Sequence, residues 1–404
     1  MSGDLWADIP ASSRLKKPLD LPPPLSEPEL LAEMAALGER NSTTYNFLGA
    51  GAYHHFIPSA LRHLVGRAEF YTAYTPYQPE ASQGTLQAIY EYQSMVCELT
   101  GLDVANASMY DGATALAEAA FMACRITGKK KIAVARTVNP HYRQVLQTYC
   151  NAADLELVEL PYDQKTGATN HESRITNDLA CFILQQPNFF GHIEAVSPLA
   201  KKTHEAGAIF IVAANPISLG LLQPPGAAGA DLVVGEGQPL GSPVSFGGPG
   251  LGILATKNKY LRQMPGRIVG GTVDVDGKKA FVLTMATREQ HIRRERATSN
   301  ICSNEALCAL TATVYLSLLG KSGLKKVAEL CLQKANYVRR ALPAAKLPFP
   351  GTPIFQEFVV RTARPFGLAL DEYYPELKGC RLLCVNETVK KEALDKLISE
   401  LAAA

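Results

Sequence analysis

Through the middle of the chain, short β-branched and apolar runs alternate with segments whose apolar positions recur every three or four residues. Lys131–Arg136 (KIAVAR) reads as a strand, His141–Cys150 as a helix, Leu155–Tyr162 as a strand, Ala180–Pro187 (ACFILQQP) as a strand and Ser197–Gly207 as a helix. Ile209–Ala213, Asp231–Val234 and Ile253–Ala255 follow as three further apolar runs, of the kind buried on both faces of a parallel sheet. Strand–helix alternation over about a hundred residues predicts an α/β sheet with helices on both faces. Sheets of this class bind ligands at the carboxyl ends of their strands. At those positions the chain carries Asn215, Gly237-Gln238 and the turn Gly247-Gly248-Pro249-Gly250.

The flanks have a different rhythm. Residues up to about Pro24 are proline-rich and read as an extended arm. Ser26 and Glu29 form a capping box for a helix to about Gly38. Pro76 and Pro79 argue against a helix before about Ser82 and leave Tyr71, Tyr74 and Tyr77 at three-residue spacing on an extended segment. Such amphipathic rings serve equally as structural packing or as the rim of a binding face. The helix that follows places Leu86, Ile89, Tyr90, Val96 and Leu99 near one face and stops at Gly101. Asp111-Gly112-Ala113-Thr114 opens another helix, where free N–H groups suit an anion such as phosphate. Asp111 fits a plain N-cap equally well, and its carboxylate would repel a phosphate. Near the C-terminus, helices from Ser303 to about Leu319 and from about Leu324 to Leu342 precede strand-like Ile354–Thr362 and Arg381–Thr388, then an amphipathic helix over Val389–Leu401. The expected division is an arm and helix at 1–45, a large α/β domain at 46–300, and long helices with a small α+β domain at 301–404.

Composition narrows the function classes. The 404-residue chain is 47% hydrophobic and 19% charged, with a formal net charge of +2. This is ordinary for a globular protein and predicts neither a nucleic-acid nor a membrane partner. The N-terminus carries no long apolar run, so neither a leader nor an anchor is expected. Nine scattered cysteines without a CxxC pair fit free thiols in the cytoplasm. No metal site is expected. Tyr53, His54 and His55 are adjacent and point in different directions on any regular element, so they read as loop surface or a subunit contact. Arg288, Arg293, Arg294 and Arg296 could hold an anion or form a solvated helix face, the latter being the usual outcome. The sequons at Asn41, Asn106 and Asn386 would matter only outside the cell. No GxGxxG follows a strand and no GxxxxGK[ST] is present, which removes the main support for dinucleotide and P-loop readings.

Five motifs in order carry a resemblance: AYTPYQPEASQG, NASMYDGATALAEA, FGGPGLG, TREQHIRR and TSNICSNEAL. From about Asp8 to the C-terminus the chain resembles the α-subunit (subunit 1) family of two-subunit glycine dehydrogenases (decarboxylating), the P-proteins of glycine cleavage systems. The resemblance implies a type I pyridoxal-phosphate (PLP) transferase-like fold, with a mostly parallel seven-stranded sheet and a small C-terminal α+β domain. It implies an α2β2 heterotetramer with a PLP-bearing β-subunit. The complete enzyme would decarboxylate glycine and pass the aminomethyl group to the lipoyl arm of H-protein. Relatives extend further at the N-terminus and between Arg364 and Tyr373.

The resemblance also tests the central strands. PLP catalysis needs a lysine amine and a carboxylate near the pyridine nitrogen. The catalytic subunits carry Asp-Gly-Ala-Asn and His-Lys-Thr. The matching residues here are Val212-Ala213-Ala214-Asn215 and Gly237-Gln238-Pro239. Gln238 replaces the lysine and Val212 the aspartate, so no catalytic or cofactor-binding residue is expected in this chain. Lys257 and Lys259 lie beyond the next strand. Expected contributions to the partner's site are the rim residues Tyr74, Thr75, Tyr77, Gln78, Glu80, Ser82 and Gln83, and Thr298, Ser299 and Asn300 of a second loop. The competing expectation is a degenerate PLP-fold scaffold or regulator without a catalytic role.

Overall fold

The computed structural model describes residues 4–41, 46–169 and 174–403. The Asn41 sequon runs into residues outside this range. The chain divides into two units, Met1–Asn46 and Phe47–Ala404. In the first, an extended proline-containing stretch leads into helix α1 (Glu27–Glu39). Ser26 donates its N–H and its hydroxyl to Glu29, at 2.9 and 2.6 Å, closing the expected capping box.

In the second unit the chain runs through α2 (Ser59–Val65), α3 (Ala68–Tyr71), α4 (Gln83–Thr100), β1 (Val104–Ala105), α5 (Gly112–Thr127), β2 (Lys131–Ala135), α6 (Pro140–Ala152), β3 (Glu156–Leu160), β4 (Leu179–Gln186), α7 (Val196–Glu205), β5 (Ile209–Ala214), β6 (Leu232–Glu236) and β7 (Gly252–Thr256). The seven strands form one sheet in the order β1-β7-β6-β5-β4-β2-β3. β3, β2, β4, β5 and β6 are parallel, and β7 runs antiparallel to both β6 and β1. Every residue of β5 is buried, which requires cover on both faces and explains why its sequence is continuously apolar rather than alternating. Phe182 of β4 and Phe210 of β5 stack at 5.9 Å in this core. Each such side chain stabilises the fold by about 1.5–3 kcal/mol.

The chain continues as the hairpin β8–β9 (Ile268–Val273 and Lys279–Thr284), a single turn α8 (Gln290–Arg293), the long helix α9 (Ala306–Ala341), β10 (Glu357–Arg361), β11 (Leu368–Ala369), β12 (Cys380–Cys384) and α10 (Lys391–Ala402). β12 lies between β10 and β11 in an antiparallel three-stranded sheet. The expected pair of helices is α9, broken at Gly320 (φ 60°, ψ −177°). Among the described residues this helix alone is long and apolar enough to cross a membrane by length and composition. Its buried residues, Cys308, Ala309, Ala312, Tyr315, Leu324 and Ala328, belong to the main hydrophobic core.

Three expectations need correction. Tyr71 closes the short helix α3 and is not on the extended segment. The arginine cluster is not a helix face, because α8 is four residues long and Arg294 has φ 52°. Arg288 is part-buried and bonds the Met285 and Gly266 carbonyls. Finally, Tyr53 and His55 are buried and are not loop surface, whereas His54 is exposed.

Candidate functional site

β5 and β6 end together at the carboxyl edge of the sheet, and the loops after them close a small cleft. Val212 is fully buried and pairs with Leu184 and Val233. Gln238, 6% exposed, accepts from the Tyr53 N–H at 3.0 Å and donates to the carbonyls of Tyr53 (3.0 Å) and Ser242 (2.6 Å). Its amide is therefore paired on both ends. The Tyr53 hydroxyl donates to Glu357 at 2.8 Å, and the other Glu357 oxygen accepts from Ala50 N–H at 2.7 Å. Burial pushes the Glu357 carboxyl up to about 7. These bonds fix the loop around Tyr53 between the β6–β7 loop and β10.

Glu236, at the end of β6, went unnoticed in the sequence. Its carboxylate accepts the N–H groups of Gly112 (3.0 Å), Gln238 (2.8 Å) and Leu251 (2.8 Å). Gly112 is the first residue of α5, and Asp111 caps that helix by accepting from Thr114 N–H at 2.7 Å. The plain N-cap reading of Asp111 is the observed one. Tyr142 closes the same corner: a Cβ on Gly112 would lie 2.3 Å from its hydroxyl. Burial first, then the charges of Glu236 and Asp111, hold the Tyr142 phenol well above its ordinary range. The remaining cavity is about 40 Å³, lined by Tyr53, Asn139, Tyr142, Gln185, Asn215 and Glu236 among others.

These residues do not fit a PLP held through a lysine. The lysine position holds an amide bonded to backbone, the carboxylate position holds a buried valine, and a carboxylate sits on the first N–H of α5, that of Gly112. Lys257 offers no substitute. Because β7 is antiparallel, Lys257 follows it at the opposite edge of the sheet, where it donates to Asp231 at 2.6 Å.

The second group of expected residues is gathered by a side chain that sequence reading missed. Arg267, 5% exposed, donates to Thr75 Oγ1 at 3.2 Å, to the Tyr77 hydroxyl at 2.8 Å and to Ser303 Oγ at 3.3 Å. Its Nε lies 3.6 Å from Glu289, and its guanidinium stands 5.3 Å from the Tyr77 ring centre. One buried cation thus ties the tyrosine loop to the segment after Asn300. A cavity of about 170 Å³ beside it is lined by Tyr74, Thr75, Ile89, Ser303, Asn304 and Leu307 among others. Thr298 and Ser299 line a separate small depression with Arg267 and Arg288.

The remaining candidates divide. Tyr74 is 86% exposed and Tyr77 53%, while Gln78, Glu80 and Asn300 are exposed and Ser82 is part-buried. The Gln83 amide is committed to backbone: it donates to Pro79 and Phe281 carbonyls and accepts from Phe281 N–H. It pins α4 to the β8–β9 hairpin. The sequence held a faint signal for Arg267, a lone arginine between Pro265-Gly266 and an apolar strand. Glu236 had a similar one, as an acid at the end of a fully buried run.

His55, Glu387 and Cys331 form a buried cluster. His55 Nδ1 lies 2.8 Å from Glu387, and the Cys331 thiol donates to the same carboxylate at 3.4 Å. Their ligating atoms lie within 4.8 Å of one another. Glu387 also accepts from the Phe56 N–H at 2.7 Å, so the group reads as a bonded clasp between this loop, α9 and the segment after β12. All nine cysteines are free.

Comparison with known proteins agrees with the fold described above. The family described as glycine cleavage system P-protein matches residues 3–401. A Moorella thermoacetica protein named "Probable glycine dehydrogenase (decarboxylating) subunit 1" is 53% identical, over 98% of this chain and 94% of its own length. A protein of the same name from Geobacillus kaustophilus is 50% identical, over 98% and 93%. Among solved structures, a glycine decarboxylase (P-protein) of the glycine cleavage system, in inhibitor-bound form, superposes with a TM-score of 0.91 at 42% identity, covering 99% of this chain and 94% of that one. A cysteine desulfurase from Thermococcus onnurineus shares the fold alone, with a TM-score of 0.59 at 16% identity. The chain belongs to the glycine cleavage system P-protein family.

Proposed function

We propose that this chain is the subunit of a glycine dehydrogenase (decarboxylating) that carries no Schiff-base lysine, and that it acts only in complex with a PLP-bearing second subunit. Together the two decarboxylate glycine, release CO2 and transfer the aminomethyl group to the lipoyl arm of H-protein, in an α2β2 assembly. The observation that carries this reading is Gln238. At the position where the family's catalytic subunits hold lysine, this chain holds an amide bonded on both ends to Tyr53. Its own contribution is the exposed rim held by Arg267, in which Tyr74, Thr75, Tyr77, Gln78 and Glu80, with Thr298, Ser299 and Asn300, face the partner's site. On the same reading residues 1–45 are an arm, 46–300 the large domain and 301–404 the long helices and small domain. Nine free cysteines support a reducing cytoplasm as its location.

The test is glycine–CO2 exchange with each purified subunit and with their mixture. Exchange is expected in the mixture, with this chain alone colourless and inactive. Exchange by this chain alone, or a mixture no more active than the second subunit by itself, overturns the reading. The latter result would favour a scaffold or regulator.

A further inference from the structure

Glu236 has no part in the reading above, and its position is unusual. A carboxylate at the end of a buried parallel strand would ordinarily face solvent or a cation. Here it accepts three backbone N–H groups, from Gly112 at 3.0 Å and from Gln238 and Leu251 at 2.8 Å each. Gly112 opens α5, a helix of sixteen residues. A helix N-terminus beside the carboxyl edge of an α/β sheet is where a ligand's phosphate is ordinarily held, by N–H groups and the helix dipole. Glu236 also lies two residues from Gln238, the position from which a lysine would reach a cofactor. The cleft side of the corner is closed by Tyr142, whose hydroxyl would stand 2.3 Å from a Cβ on Gly112. A Cβ on Gly250 would meet Asp111 Cβ at 2.9 Å and Glu236 Oε2 at 3.1 Å, so the loop before β7 packs tightly on the same carboxylate.

We infer that Glu236 is a built-in anion: its carboxylate takes the place of a ligand's phosphate in the cleft of this chain and keeps phosphate-bearing cofactors out. Loss of the lysine at Gln238 and the carboxylate at Val212 removes covalent attachment and ring stabilisation. Neither change by itself prevents a phosphate from resting on α5. Glu236, beside the N-cap carboxylate of Asp111, does so by two effects. It occupies the Gly112 N–H at the start of α5 together with those of Gln238 and Leu251, and it adds a negative charge to that of Asp111 at that point. Restoring the two lost residues therefore does not restore a cofactor site while Glu236 remains.

The test uses the full chain and two probes, inorganic phosphate and PLP. Phosphate is titrated calorimetrically into wild type, Glu236→Ala and Glu236→Gln, and thermal midpoints are recorded with and without phosphate. No saturable binding is expected for wild type. Phosphate affinity is expected to rise at least about tenfold in Glu236→Ala, equivalent to about 1.4 kcal/mol, with an upward midpoint shift in Glu236→Gln as well. A variant that folds only when phosphate is present also supports the inference. Wild type binding phosphate as tightly as the variants, or folded variants binding none, overturns it. In the second arm, borohydride trapping of PLP is compared between Val212→Asp/Gln238→Lys and the same pair with Glu236→Ala. Only the triple variant is expected to trap. Equal trapping in both overturns the inference. Both arms use this chain without its partner, so they can fail while the exchange assay succeeds, and the reverse.

Discussion

The cleft beside Gln238 and the rim around Arg267 both use buried polar side chains, and they use them in opposite directions. In the cleft, Gln238 and Glu236 bond inward to Tyr53, Gly112, Leu251 and Ser242, leaving about 40 Å³. At the rim, Arg267 donates outward to Thr75 and Tyr77, on a loop where Tyr74 stays 86% exposed beside a cavity of about 170 Å³. The first pattern is that of a site closed on itself. The second holds a loop rigid while presenting aromatic surface, at low cost in order on association. This combination suits the role proposed above, a subunit that lends surface to a partner's chemistry.

The comparison is broken most sharply at Arg267. Arg267→Ala removes the link among Thr75, Tyr77 and Ser303 and takes the guanidinium from Glu289, which keeps His291 Nδ1 at 3.6 Å. It is expected to lower stability by about 3–5 kcal/mol, as for a broken buried pair, measured by urea unfolding. Arg267→Lys should recover only part, since one ammonium cannot reproduce the planar fork. A loss below about 1 kcal/mol in the alanine variant would show that the rim holds itself.

Gln238→Lys probes the cleft. The lysine would lose both Tyr53 bonds and bury an ammonium beside Glu236. The expectation is a loss of about 2–4 kcal/mol and no PLP trapped by borohydride. A stable variant that traps PLP would falsify the view of the cleft as closed.

The third prediction concerns pH. Glu357 is raised from an ordinary 4.5 to about 7 by burial. Between those values the folded chain holds a proton that the unfolded chain has released. Stability therefore falls as pH rises from about 4.5 to 7, and levels off above. Glu194, likewise raised to about 7 by burial, adds to the same slope. Glu357→Gln should remove its share, gaining about 1–3 kcal/mol over wild type at pH 8 and little at pH 5. Parallel pH profiles of wild type and variant would contradict this. The smallest effect on stability belongs to Tyr74→Ala, expected within about 0.5 kcal/mol of wild type because the ring is exposed. Exchange by the mixed subunits should nonetheless fall several-fold. Unchanged exchange would remove Tyr74 from the rim.

The large sheet was legible because its central strands are buried on both faces, so continuous apolar runs such as Phe182–Leu184 and Ile209–Ala213 have few other uses. The break between the two long helices was legible between about Leu319 and Leu324, where the non-helical residue is Gly320. β1 and β11, two residues each, were not, since their pairing depends on partners distant in sequence, Thr256 and Leu382 among them. The β8–β9 hairpin, with its exposed valines at 273 and 275, lacks the alternation of a half-buried strand pair. At the site, absence was easy to read: Val212 and Gln238 cannot do what aspartate and lysine do. Presence was harder. Glu236 and Arg267 act through backbone groups and hydroxyls that only the fold brings within reach. The histidine loop was misjudged for the same reason, as Glu387 lies far along the chain from His55.

One consequence lies in the direction of β7. Because it returns antiparallel from β6, the residues between them form a reversal at one edge of the sheet, with Glu236 paired to Gly252 across its neck. No crossover helix hangs from that reversal. What constrains it is close packing instead: a Cβ on Gly241 would meet Leu61 at 2.7 Å and Tyr315 at 2.9 Å. The segment that carries Gln238 is thus shaped by its own contacts and not by a helix that has to cross the sheet.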